Sequence, residues 1–173
     1  MLKPAILFKD EIQTKFKELW YTDDLRLYVG ERMGMTPEIN EDNWNNPGKR
    51  EYAIVDKDDI VVGYIAFNIN DKINSCEDFG LISFDKGNML VPHDVYHLLM
   101  ELYEKHFLIT WSMIGDNPVK KGYVRFTEKM GGKIIEIPYG AVDSNDEPCS
   151  RFIFQIYNPL NRKVTVKNAI PKI

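Results

Sequence analysis

A chain of 173 residues is long enough to bury a real core and short enough to form one domain. Hydrophobic residues at 44% and charged ones at 28% are ordinary for a globular protein, and a net charge of −4 argues against nucleic acid or an anionic membrane as partner. No apolar run nears the roughly 20 residues of a membrane-spanning helix, and two scattered cysteines, Cys76 and Cys149, point to a reducing, cytoplasmic setting without a disulfide or a cysteine metal cluster.

Pro4 to Phe8 reads as an edge strand. Ile12, Phe16, Leu19 and Trp20 then form a helical stripe, and a short helix is expected from Asp23 or Asp24 to about Gly30. Glu31 to Lys49 carries Pro37, Pro47 and several asparagines, which predicts a loop with at most a helical turn. Two β-rich runs, Glu51–Val55 and Ile60–Phe67, flank the charged turn Asp56–Asp59 and predict a hairpin. After a turn over Asn68–Asn74, the stretch from Phe79 to Lys133 reads as strand, helix, strand, helix. Its pieces are Phe79–Phe84, Pro92–Lys105, Phe107–Ile114, and a helix with Val119, Tyr123, Phe126 and Met130 on one stripe, stopped by Gly131-Gly132. Such alternation predicts two parallel neighbouring strands. Lys133–Ile137 and Arg151–Tyr157 read as an antiparallel closing pair around the polar loop Asp143–Glu147, leaving a basic tail from Pro159.

The order of elements meets a known family here. Asn117-Pro118, Tyr123 and Glu128-Lys129-Met130-Gly131-Gly132 resemble the fourth-helix signature of GNAT-type N-acetyltransferases. The hairpin from Val55 to Tyr64, with Gly63, is similar to that family's second and third strands. The likeness in element order covers Ala5 to Tyr157, so the expectation is one domain over residues 1–158 with a tail over 159–173. The resemblance implies an α/β (α+β) fold: a mixed, mostly antiparallel twisted sheet with a central, splayed parallel pair, flanked by helices.

The chemistry that the resemblance implies is acetyl transfer from acetyl-CoA to a primary amine of a small molecule or protein. The donor's pantetheine arm would run along Ile82, Ser83 and Phe84, and its pyrophosphate would sit at the start of the next helix, where free N–H groups and the helix dipole favour an anion. Lys86, His93, Asp94 and Val95 fall in that region, and Asn117 opens the fourth helix with a cap or a cofactor contact. A tyrosine would protonate the leaving thiolate. Tyr123 is the first candidate for that role and Thr127 the second, because the family slot falls on Val124 counted from Asn117 and on Thr127 counted from Gly131. Glu77, with Asp78 and Asp85, supplies candidates for the base, and Tyr21, Tyr28 and Trp44 for a substrate wall. Each of these aromatic residues also has an ordinary packing role open to it.

The chain departs from the family at the pyrophosphate loop. Where that loop has Arg or Gln, then Gly, then Gly or Ala, this sequence has Leu90, His93 and Val95. Asp94 is expected in the first helical turn, where it caps the helix and repels a phosphate, with Lys86 or His93 compensating. Two further readings follow. One is a GNAT-like binding or structural module without catalysis. The other is a zinc hydrolase built on His93 and His97, one methylene short of His-Glu-x-x-His; their helical row lies opposite the apolar stripe, which predicts solvent and no metal. The assembly is expected to be a monomer, or a homodimer through Phe152–Tyr157 at a sheet edge.

Overall fold

The computed structural model describes residues 1–20, 39–85, 87–115, 117, 120–143 and 147–162. Its sheet contains β1 (Leu2–Pro4), β2 (Lys49–Val55), β3 (Val61–Asn70), β4 (Ser75–Ser83), β5 (Leu108–Ile114), β6 (Lys133–Val142) and β7 (Pro148–Tyr157). The order across the sheet is β1-β2-β3-β4-β5-β7-β6, antiparallel throughout except for the parallel pair β4·β5. Among the described residues, four helices flank it: α1 (Lys9–Trp20), α2 (Glu41–Asn45), α3 (Leu90–Lys105) and α4 (Lys120–Lys129). The mixed α/β architecture expected from the sequence is borne out.

Burial explains why these segments take these forms. Ile12 and Phe16 lie one turn apart on α1, are fully buried, and pack on one face of the sheet. There Phe16 meets the rings of Tyr64 and Phe84 edge-on at 5.5 and 5.3 Å. The other face carries the larger core, with Val91, Val95, Leu98, Leu99 and Leu102 of α3 against Ile65, Phe67, Ile109, Trp111 and Phe154. β3 lies between the two cores, so Val61 to Ile65 is buried at every position and reads as a continuous apolar run.

Some boundaries differ from the sequence reading. Pro4 ends β1 opposite Tyr52, and Ala5–Phe8 forms a 3-10 turn, not strand. β4 begins at Ser75, four residues before its apolar run, because Ser75 and Cys76 pair with strands on both sides. Phe152–Tyr157 is not an edge: β7 lies between β5 and β6, and β6 forms the border. Pro159–Asn161, placed in the expected tail, forms a 3-10 turn fastened by Asn158 Nδ2 to the Tyr103 carbonyl (2.9 Å) and Asn161 Nδ2 to that of Glu104 (2.8 Å), and residues 163–173 lie outside the described residues. The helix expected over 23–30 lies outside the described residues. Among those described, no helix is long and apolar enough to cross a membrane.

The feature that positions the site is the parting of β4 and β5. Their ladder consists of Ser75↔Leu108 and Cys76↔Ile109 and then stops. Just beyond, Asp78 adopts φ +53°, and the β3·β4 register shifts between Ala66 and Asn68. That is a bulge, which bends a strand and increases its twist. After it β4 follows β3 as far as Ser83↔Gly63, while β5 follows β7 as far as Ile114↔Arg151. The expected splayed pair is present.

Candidate functional site

The parted strands enclose a small cavity of about 70 Å³, lined by Gly80, Leu81, Ser83, Trp111, Asn117 and Tyr123 among others. It adjoins a cavity of about 500 Å³ between α3 and α4, whose walls include Met89, Val91, Pro92, Val95, Leu99 and Phe126. Leu81, Ser83 and Tyr123 line both. In a strand, successive residues turn their N–H and C=O groups to opposite sides. The Phe84 N–H donates to the Val62 carbonyl on the β3 side (2.9 Å), so Leu81 and Ser83 turn their backbone groups toward the gap. An extended polar chain in the gap would meet that backbone as if it were another strand.

Tyr123 stands at the junction. Its ring packs against Trp111 at 5.4 Å and Phe154 at 6.4 Å, and among the described residues its hydroxyl makes no hydrogen bond. Burial pushes the phenol pKa upward, so the group holds its proton at neutral pH. Beneath it, Trp111 is stacked on Phe154 (5.2 Å, 3°), with a buried indole N–H that has no partner among the described residues. A protonated phenol and an unpaired donor beside an apolar slot suit a ligand that brings acceptors or develops negative charge.

The start of α3 is built differently. Asn88 accepts the Leu90 N–H on its side-chain oxygen (3.0 Å) and the Val91 N–H on its carbonyl (3.3 Å). Pro92 has no N–H, and that of His93 donates to the Met89 carbonyl at 3.4 Å. Asn88 Nδ2 in turn binds the Asp85 carboxylate at 3.1 Å. Of the N–H groups that this helix start would leave for an anion, those of Leu90 and Val91 are therefore engaged and Pro92 has none, while the His93 bond is the first of the helix's own ladder.

The remaining expected residues scatter. Ser83 and Val95 line the larger cavity and Asn117 the smaller, whereas Ile82 and Phe84 turn their side chains into the core under α1. Asp94 is not a cap and sits beyond the first turn. Its carboxylate pairs with the Met1 ammonium at 2.5 Å and His93 Nδ1 at 3.2 Å, because β1 crosses beside that face of α3. Burial raises the Asp94 pKa, but the Met1 and His93 contacts outweigh it and hold the carboxyl below its usual value. Glu77 lies at the closed end of β4, where it accepts from Ser75 and from Asn70 Nδ2 (3.3 Å), and it lines neither cavity. Thr127 is fully buried on the sheet-facing side of α4, away from both cavities. Trp44 is exposed on α2. Tyr21, Tyr28 and Lys86 lie outside the described residues.

His93 and His97 face solvent with ring centres 4.4 Å apart, and Glu101, next in their row, is held by Lys105. Among the described residues no three His, Cys, Asp or Glu side chains converge in a way that could hold a metal. Sequence reasoning missed Asn88, Trp111 and Leu81. Of these, only Asn88 carried a signal, as a capping residue just ahead of an apolar helical pattern.

No protein-family model matches the chain, and no curated protein does. Solved structures do match. A spermidine N-acetyltransferase from Vibrio cholerae in complex with CoA and spermine superposes with a TM-score of 0.63 at 14% identity, covering 91% of this chain and 94% of that one. A GCN5-related N-acetyltransferase from Kribbella flavida gives 0.62 at 15% identity, over 91% and 97% of the two chains. An N-acetyltransferase from Staphylococcus aureus Mu50 gives 0.64 at 10% identity, again over 91% and 97%. At such identities the likeness establishes the fold, which is that of the GCN5-related N-acetyltransferases.

Proposed function

We propose that this chain is a divergent member of the GCN5-related N-acetyltransferases and moves an acetyl group from a pantetheine-type thioester, acetyl-CoA being the donor its fold neighbours suggest, to a primary amine. The observation that carries this reading is Tyr123, a protonated phenol placed where the slot between β4 and β5 meets the α3/α4 cavity. The slot suits the arm of such a donor, with the backbone of Leu81 and Ser83 as its polar edge. The amine nitrogen attacks the thioester carbonyl, the C–N bond forms and the C–S bond breaks. Tyr123 gives its proton to the departing sulfur, and the proton lost by nitrogen passes to water, from which the phenol is restored. Among the described residues no carboxylate lines either cavity, and no protein base is assigned.

Polyamines are the first acceptors to try, since fold neighbours include spermidine N-acetyltransferases. The test is thiol release from acetyl-CoA with spermidine and a panel of simple primary amines. Tyr123→Phe should lower kcat about 10²-fold, far more than the loss of one hydroxyl weakens donor binding. Donor binding without transfer to any amine would leave the second reading, a ligand-binding module without catalysis, which the engaged amides of α3 favour.

A further inference from the structure

We infer that the site grips its donor by the pantetheine arm and not by the nucleotide diphosphate, so that thioesters lacking the nucleotide are held as well as acetyl-CoA. This deepens the transferase reading and rests on it. A helix start binds a diphosphate through unspent N–H groups, and here each of the first three residues of α3 is removed from that task. Leu90 and Val91 donate to Asn88, and Pro92 has nothing to donate. The same asparagine holds the Asp85 carboxylate against the helix start, where it would oppose a second anion.

The larger cavity repeats the pattern. Its described lining contains no charged side chain, and Lys129, beside it, is drawn over the Tyr96 ring at 5.8 Å. Polar recognition is concentrated instead in the slot, in the gap-facing backbone of Leu81 and Ser83, the unpaired Trp111 N–H and the Tyr123 hydroxyl. Those groups match the amides and carbonyls of a pantetheine arm. Its methyl-bearing segment would lie against Val91, Val95 and Leu99, in a cavity whose size is usual for small-molecule sites, which span about 300–1,000 Å³.

The experiment is calorimetric titration of the purified chain with CoA and, separately, with pantetheine, each at low and at moderate salt. The expected result is dissociation constants within about threefold of each other, with that of CoA level across the salt range. A diphosphate gripped by charge would make CoA bind more than threefold better, or bind less well as salt screens the contact, and either result overturns the inference alone. Absence of binding by both ligands at millimolar concentration would overturn the transferase reading together with the inference.

Discussion

Tyr123 and Thr127 sit one turn apart on α4 and are the two proton donors that the family resemblance offers, yet their surroundings are opposite. Among the described residues neither hydroxyl has a partner, but Tyr123 is packed at the slot whereas Thr127 is sealed against the sheet. A buried hydroxyl without a partner costs about 1–3 kcal/mol, and replacing it by a methyl of the same shape returns part of that cost. Thr127→Val is therefore expected to raise Tm by about 1–4 °C in thermal denaturation and to leave kcat unchanged. A fall in kcat comparable to that of Tyr123→Phe would reassign the acid. Trp111→Phe keeps the stack on Phe154 but deletes the free indole N–H. Calorimetry should show CoA and pantetheine weakened together, by about 3- to 10-fold, the usual worth of one hydrogen bond.

Among the elements, α4 shows how close packing sets the geometry of the site. It ends with Gly131 at φ +67°, and the Gly132 N–H donates to the Thr127 carbonyl at 2.8 Å, a turn that delivers the chain into β6. At Gly132 an added Cβ would lie 2.5 Å from the Gln155 carbonyl oxygen and 2.8 Å from Thr127 Cγ2, so helix and β7 would have to separate. Gly132→Ala should cost about 1–3 kcal/mol and lower the urea midpoint, and a loss of pantetheine affinity should accompany it as α4 shifts. β4 shows the complementary point. Its first residues, Ser75-Cys76-Glu77-Asp78, look like loop in sequence and become strand because β3 pairs with Ser75, Cys76 and Glu77 while β5 pairs with Ser75 and Cys76. The bulge at Asp78 then frees the following residues from β5. Local propensity marks neither event, since both depend on partners distant in the chain.

For the molecule as a whole, the contact between Met1 and Asp94 ties the start of the chain to α3 beside the larger cavity. The Met1 side is 76% exposed, so the pair is worth only a few tenths to about 1 kcal/mol. The Asp94 carboxyl is held below its ordinary 3.8, so the folded state binds its proton less readily than the unfolded chain does. The contribution is complete above that ordinary value and disappears as pH falls through the lower folded one. Asp94→Asn should thus be slightly less stable than the parent at pH 7 in urea titrations, the two converging in strong acid. The sequence alone determined α1, α3, α4 and most strands, because the periods of 3.6 and 2 are written in which residues are apolar. It also determined the resemblance in α4 that directed attention to Tyr123. Only the tertiary structure decided that β4 and β5 part after two pairs, that Asp94 turns to Met1, and that Asn88 closes the start of α3. Each of these depends on which distant group meets a backbone amide or a carboxylate, and a one-dimensional pattern of polarity carries no record of such meetings.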